Sequence, residues 1–145
     1  KPGVPNQFGL VGGKANEIAP GKRMLSSMTP TIVLLDDRVR LVLGAPGGSR
    51  IITSVLQVLV NVADHGMDLE DAVRAPRVHQ QWKPSHITWE DHALPADVRA
   101  ALAAMGHTFS RRPRSIGRVQ AIAIDGDGDR VGVCDPRSGG SAGAQ

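Results

Sequence analysis

The fold of this chain is decided by residues 41–64, LVLGAPGGSRIITSVLQVLVNVAD. A short Val- and Leu-rich run meets the turn Pro46-Gly47-Gly48 there, and a long apolar run with helical spacing follows it. Glycines let a backbone approach a ligand without a Cβ in the way, and the first turn of a helix leaves its N–H groups unpaired. The segment therefore predicts a strand, a tight turn and a helix whose N-terminus is suited to an anion.

The remaining segments predict a mixed set of elements around this strand and helix. Residues 31–35 and 39–43 form one predicted hairpin, and residues 117–124 and 130–134 form a second. Helices are predicted over residues 49–64, from Asp68 as N-cap to Arg74, and over residues 95–105, with a strand at residues 87–90. The polar residues of the first helix share one narrow stripe, so we expect that helix to be mostly buried.

This order of elements predicts an α+β fold rather than a parallel βαβ fold, because strand pairs flank the helices. Residues 1–24 are rich in Gly and Pro and predict a loop or extended arm, which leaves residues 25–145 as the sandwich portion. The strands are apolar at successive positions, so we expect the sheet to be covered on both faces.

Composition excludes several classes of function. The chain has 145 residues and a net charge of +3. Its 41% hydrophobic residues are typical of a globular domain. Its only dense basic run, residues 111–114, lacks the aromatic residues that stack on bases, so we expect no nucleic-acid partner. One cysteine excludes an internal disulfide, and the apolar run at residues 51–63 is too short to span a membrane.

No metal site is expected. Residues 125–129, DGDGD, imitate the start of a calcium loop, but Pro136 stands where an EF-hand needs its bidentate acid. A tight turn is the better interpretation. The five histidines show no metal-binding spacing on a helix.

A second segment, Leu25-Ser26-Ser27-Met28, lies one hairpin before the glycine turn. Taken alone, two adjacent serines are typical of a capped turn. Together with Pro46-Gly47-Gly48-Ser49-Arg50, however, the segment resembles the small subunit of gamma-glutamyltransferase, also called glutathione hydrolase. The resemblance extends over nearly the whole chain, including residues 72–79, Gln81-Trp82, Gly117, Gln120 and residues 135–138. From the residues alone, the arginines and glutamines of those stretches are interpreted as structural ties between loops.

The resemblance implies a four-layered αββα sandwich of an N-terminal-nucleophile hydrolase, made jointly by two subunits cut from one precursor. It implies that Gly47 and Gly48 form the oxyanion hole and that Ser26 and Ser27 bind the α-carboxylate of the γ-glutamyl group. We then expect both glycine N–H groups to be unpaired and to face a cleft that Ser26 and Ser27 also line. No metal or organic cofactor is implied.

The nucleophile of the family is an N-terminal Thr whose own amine acts as the base. Residue 1 here is Lys, in a segment that lies downstream of that Thr in relatives, so the chain is expected to be a C-terminal portion of the small subunit. Expected partners are the large subunit, the Thr-bearing part of the small subunit, glutathione or another γ-glutamyl compound, and an amino-acid or peptide acceptor. The resemblance also implies an autoprocessed bacterial proenzyme in the periplasm or outside the cell.

Two alternatives remain open at the level of sequence. A cephalosporin or glutaryl acylase of the same superfamily keeps the fold and the oxyanion glycines but changes the acyl pocket. A non-catalytic structural module keeps the glycines only as a turn. The residues upstream of Lys1 separate these alternatives from the transferase.

Overall fold

A computed structural model describes residues 2–143 of the chain. After an N-terminal arm with one short 3-10 turn at Lys14–Asn16, the elements follow in this order: β1 (Thr31–Leu35), β2 (Arg38–Gly44), α1 (Arg50–Ala63), α2 (Leu69–Arg74), β3 (Val78–His79), β4 (His86–Trp89), α3 (Ala96–Ala104), β5 (Thr108–Phe109), β6 (Gln120–Ile124) and β7 (Arg130–Cys134). The predicted α+β class and both predicted hairpins are confirmed.

The main sheet has four antiparallel strands in the order β1-β2-β6-β7. Asp36 and Asp37 connect β1 to β2 with φ values of 51° and 58°, as a two-residue hairpin turn of matching twist requires. The second hairpin closes on Asp125, whose Oδ1 accepts the N–H groups of Asp127, Gly128 and Asp129 at 2.9 Å each. The predicted tight turn at residues 125–129 is therefore confirmed.

One face of the sheet carries the hydrophobic core. Leu41 and Leu43 of β2 are buried against α1 and α2, together with Val58 and Val73. On the opposite face Ile32, Leu34 and Ile122 are 61%, 58% and 44% exposed. Within the described residues this face stays uncovered, because α1 and α2 pack on the same side of the sheet. Coverage of the second face by another layer stays a prediction.

Helix α1 packs differently from its sequence prediction. Its polar stripe faces the protein: Ser54 is fully buried, and Gln57 bonds the backbone N–H and C=O of Val78. Ile52 and Leu56 are instead 49% and 53% exposed. The prediction of a mostly buried helix is wrong in this respect, because the polar side chains bind the backbone of neighbouring loops and turn an apolar stripe outward.

A smaller sheet and a peripheral helix complete the fold. Strand β4 pairs antiparallel with β3 and parallel with β5, and both partners have only two residues. Sequence analysis does not predict β3 and β5, since a two-residue run has no periodicity. Asp68 stands at the N-cap of α2 as predicted, but its side chain makes no capping hydrogen bond.

A buried network of charges ties the helices to the ends of β4 and β7. Arg77 contacts Asp135 at 2.8 Å, and both side chains are almost fully buried. Arg137 contacts Glu90 and Asp135, at 2.5 and 3.1 Å. Arg77 also donates to the carbonyl of Ile116 at 3.0 Å. These contacts confirm the interpretation of the two arginines as structural ties between loops.

Candidate functional site

The glycine turn lies between β2 and the first residue of α1. Gly47 and Gly48 have φ values of 146° and 60°, which glycine adopts without the strain that a Cβ causes. Their carbonyls accept the N–H groups of Arg50 and Ile51 at 3.3 and 3.1 Å, which starts the helix. Among residues 2–143, neither glycine N–H has a hydrogen-bond partner. The turn thus presents two adjacent backbone donors at the positive end of a helix.

Both glycines are in close contact with other segments. A Cβ on Gly47 would lie 3.5 Å from the Cα of Gly117, in the loop that the buried charge network holds. A Cβ on Gly48 would lie 2.7 Å from the ring of Phe8, in the N-terminal arm. The arm therefore packs directly on the candidate oxyanion hole, although sequence analysis assigned it no role at the site.

The serine pair reaches the same end of the sheet as the glycine turn. Thr31 pairs with Leu43, so the chain before β1 and the chain after β2 leave the hairpin side by side. Ser26 Oγ accepts the Met28 N–H at 3.2 Å, which leaves its hydroxyl proton free to donate. Ser27 is half-buried, and its Oγ has no hydrogen bond within the described part of the chain. The structure gives no direct contact between these serines and the glycines.

A cavity beside the turn has a different lining from the expected one. It is formed by the tip of the arm, the first turn of α1, the β3 and β4 region, residues 109–111 and Arg114, and neither Ser26 nor Ser27 lines it. Sequence analysis missed the cavity because its walls come from segments far apart in the chain. Two of its residues, His79 and Gln81, lie in or beside the stretches that carry the resemblance.

His79 and Gln81 form a hydrogen-bonded link to the helix start. His79 Nδ1 contacts Thr53 Oγ1 at 2.7 Å, and its Nε2 contacts Gln81 Oε1 at 2.8 Å. The same Gln81 oxygen accepts from Ser49 Oγ, and the amide nitrogen donates to the carbonyl of Phe8 at 2.8 Å. Gln81 therefore joins the arm to the residue that follows the glycine turn.

Burial decides the charge state of the His79 imidazole. Desolvation lowers the pKa of His79, the nearby Arg50 lowers it further, and the Gln81 hydrogen bond only partly opposes them. A neutral imidazole with the proton on Nε2 satisfies every contact, because it donates to Gln81 and accepts from Thr53. His79 therefore positions Gln81 and does not serve as a cation at neutral pH.

Comparisons with known proteins identify the family of this chain. A family model described as gamma-glutamyltranspeptidase matches residues 1–145. The glutathione hydrolase proenzyme of Escherichia coli (strain K12) is 49% identical over 138 residues, which are 95% of this chain and 23% of that protein. The acylase ACY 1 proenzyme of Pseudomonas sp. (strain SE83) is 43% identical over 129 residues, 89% of this chain and 23% of that protein.

A solved structure has the same fold. The gamma-glutamyltranspeptidase from Pseudomonas nitroreducens complexed with L-DON superposes with a TM-score of 0.89 at 49% identity, over 100% of this chain and 76% of that one. The fold and the site thus define a chain of the N-terminal-nucleophile hydrolase superfamily. More narrowly, the chain belongs to the gamma-glutamyltranspeptidase family. It spans about a quarter of the length of the curated relatives it matches.

No helix within residues 2–143 is long and apolar enough to cross a bilayer. The same residues contain no group of three or more His, Cys, Asp or Glu side chains arranged to hold a metal ion.

Proposed function

We propose that this chain supplies the oxyanion hole and the carboxylate-binding serines of a gamma-glutamyltransferase. The observation that carries the proposal is the pair of unpaired N–H groups at Gly47 and Gly48, at the N-terminus of a 14-residue helix. Two preorganised backbone donors at such a place stabilise the negative charge that develops on a carbonyl oxygen under attack. Family membership supports the same reaction.

The reaction proceeds in two acyl-transfer steps. A Thr hydroxyl from outside residues 1–145 attacks the γ-carbonyl of the donor, and its own α-amine takes the proton. The tetrahedral oxyanion accepts hydrogen bonds from Gly47 and Gly48 N–H, and the amine of the donor amide leaves with a proton. Water or an amino-acid amine then attacks the γ-glutamyl ester and restores the Thr. No metal or organic cofactor is needed.

Ser26 and Ser27 hold the α-carboxylate of the γ-glutamyl group in this proposal. The free hydroxyl proton of Ser26 and the half-buried hydroxyl of Ser27 support this role, since a carboxylate accepts from both. Because the substrate carboxylate takes no part in bond breaking, the serines bind ground state and transition state alike.

The partners are the remaining parts of the same enzyme. We propose that a second apolar sheet, contributed by the large subunit and the Thr-bearing part of the small subunit, covers the face that exposes Ile32 and Ile122. That arrangement gives the four layers of the superfamily fold, with residues 1–24 as an arm and residues 25–145 as part of the sandwich. The whole protein is then an autoprocessed proenzyme of the periplasm or the cell exterior, and glutathione is its γ-glutamyl donor.

Ser26→Ala with Ser27→Ala tests this function in the full-length enzyme. The double variant should raise KM for γ-glutamyl-p-nitroanilide by about tenfold or more while kcat changes little, because hydrogen bonds to a charged group are lost uniformly. Ser141→Ala is the matched control, since Ser141 is exposed and does not line the cavity beside the turn. A double variant with the KM of the control contradicts the carboxylate role.

One observation supports the acylase alternative: this chain is 43% identical to the acylase ACY 1 proenzyme over the matched residues. A substrate panel separates the two functions. The transferase should release amine from γ-glutamyl-p-nitroanilide and glutathione far faster than it deacylates glutaryl-7-aminocephalosporanic acid, whose acyl group keeps the distal carboxylate but lacks the α-amine. The reverse order of kcat/KM favours the acylase.

A further inference from the structure

The cavity beside the glycine turn has a size and a place suited to a ligand. Its volume is about 680 Å³, within the range of small-molecule sites. Phe8 forms part of its wall and also packs on Gly48, while Ser49 and Arg50 bring the first turn of α1 to it. Neither Gly47 nor Gly48 lines the cavity, but Phe8 contacts Gly48 and Ser49 follows it in the chain, so the cavity adjoins the glycine turn.

The lining is positively charged and carries no acidic side chain. Its charge comes from three arginines, Arg50, Arg111 and Arg114. None of the three guanidinium groups forms a salt bridge among residues 2–143. In the buried network, by contrast, Arg77 and Arg137 are both paired with carboxylates. The cavity thus has cationic groups without an anionic partner from the described chain.

The floor of the cavity is neutral and already satisfied. Gln81 uses both amide hydrogens, on the carbonyls of Phe8 and Lys83, and its oxygen accepts from Ser49 and His79. His79 bonds through both ring nitrogens. Gln81 and His79 therefore have no polar group left for a ligand, whereas the unpaired arginines present forked donors that match a carboxylate.

We propose that this cavity binds the free carboxylate of the amino acid or short peptide that leaves the γ-glutamyl group or accepts it. The inference rests on the proposed function, in which such a molecule must bind close to the acyl ester and the candidate oxyanion hole. Arg111 and Arg114 hold the carboxylate, Arg50 adds positive potential from the helix start, and Phe109 covers the aliphatic part of the ligand.

Two acceptors that differ only in the carboxylate test the proposal in the full-length enzyme. Glycylglycine carries the carboxylate and glycylglycinamide does not, and the donor for both is γ-glutamyl-p-nitroanilide. We expect the wild-type enzyme to have a lower KM for glycylglycine than for the amide. Arg111→Gln with Arg114→Gln should raise the KM for glycylglycine by about tenfold and bring the two acceptors to similar values, because the charged hydrogen bonds are lost.

Arg112→Gln is the control, since Arg112 carries the same charge on the same exposed loop and does not line the cavity. It should keep the preference of the wild type. Because the preference is a ratio within one preparation, a partly unfolded variant does not distort it. The inference is overturned if the double variant keeps the wild-type preference, or if the wild-type enzyme does not distinguish the acceptors. An enzyme that releases no p-nitroaniline at all contradicts the proposed function instead.

Discussion

At the residue scale, the site depends on how closely Phe8 and Gly48 pack. Two features require glycine at position 48. Its φ is +60°, and a Cβ there would lie 2.7 Å from the Phe8 ring. A methyl group there has to push the arm away or rotate the peptide whose N–H is the proposed donor. The position of the N-terminal arm and the geometry of the candidate oxyanion hole are therefore coupled through the contact between Phe8 and Gly48.

Gly48→Ala should lower kcat in the full-length enzyme by about 10²-fold, toward the loss seen when an oxyanion donor is removed. The free energy of unfolding should fall by about 1–3 kcal/mol, because alanine at positive φ is strained and its Cβ displaces the Phe8 ring. Steady-state kinetics with γ-glutamyl-p-nitroanilide and chemical denaturation measure the two effects.

Gly66→Ala provides the matched control for that substitution. Gly66 has a φ of +65° and open space around its Cα, so alanine there carries the backbone strain without the contact. Its kcat should equal that of the wild type. Adding Phe8→Ala to Gly48→Ala should restore part of the lost kcat if the ring is the obstacle. An equal loss of kcat in both glycine variants would contradict a catalytic role for the turn.

At the element scale, buried charges rather than apolar contacts alone fix the loops around the site. Asp135 lies directly after β7 and accepts from the Val119 N–H at 2.7 Å and from Arg77 at 2.8 Å. Burial by itself would raise the pKa of Asp135, but hydrogen bonds from Arg137, Arg77 and Val119 outweigh it, so the pKa lies below its ordinary value. The carboxylate therefore stays ionised while it aligns the loop beside Gly47.

Asp135→Asn should destabilise the full-length enzyme by about 3–5 kcal/mol at pH 7, because it leaves the buried Arg77 guanidinium without its counter-ion. Chemical denaturation measures this loss. Since the folded-state pKa is lowered, the wild-type carboxylate contributes stability above about pH 4, and that contribution disappears as pH falls through the folded pKa. Asp135→Asn should lack this pH-dependent contribution to the free energy of unfolding.

Asp127→Asn is the control at this scale. Asp127 lies on the exposed second hairpin turn, where only its backbone N–H is bonded, to Asp125. Its substitution should change the free energy of unfolding by less than about 0.5 kcal/mol. If the two Asn variants have similar free energies of unfolding, the ion pair between Arg77 and Asp135 contributes nothing to stability beyond the volume that it fills.

At the scale of the whole molecule, the four-stranded sheet packs against α1 and α2 on one face and exposes its other face. Ile32 pairs with Val42 and Val42 with Ile122, so a continuous apolar row crosses three strands on the side away from α1. Exposed apolar sheet of this kind favours association with another surface.

A polypeptide of residues 1–145 alone should therefore self-associate at micromolar concentration, as light scattering coupled to size exclusion will detect. Ile32→Thr with Ile122→Thr should shift it toward the monomer by shortening the apolar row. Met105→Thr, on the exposed end of α3, should leave association unchanged because that residue lies away from the sheet. A wild-type monomer that melts cooperatively would mean that residues 1–145 are a self-sufficient domain.

The sequence by itself determined the local features of this protein. The hairpin turns, the glycine turn and the bounds of α1 to within a residue or two follow from turn chemistry and from apolar runs, which are properties of neighbouring residues. Family membership follows from the same stretches around Ser26 and Gly47, because their order along the chain is specific.

Only the tertiary structure decided which groups meet. Phe8 reaches Gly48 across 40 positions, Gln81 joins Ser49, and Arg77 pairs with Asp135, yet no periodicity links residues so far apart. The inward polar stripe of α1 was likewise unpredictable, because the free energy of satisfying buried loop carbonyls and amides outweighs the exposure of Ile52 and Leu56. Such balances depend on contacts that exist only once the chain has folded.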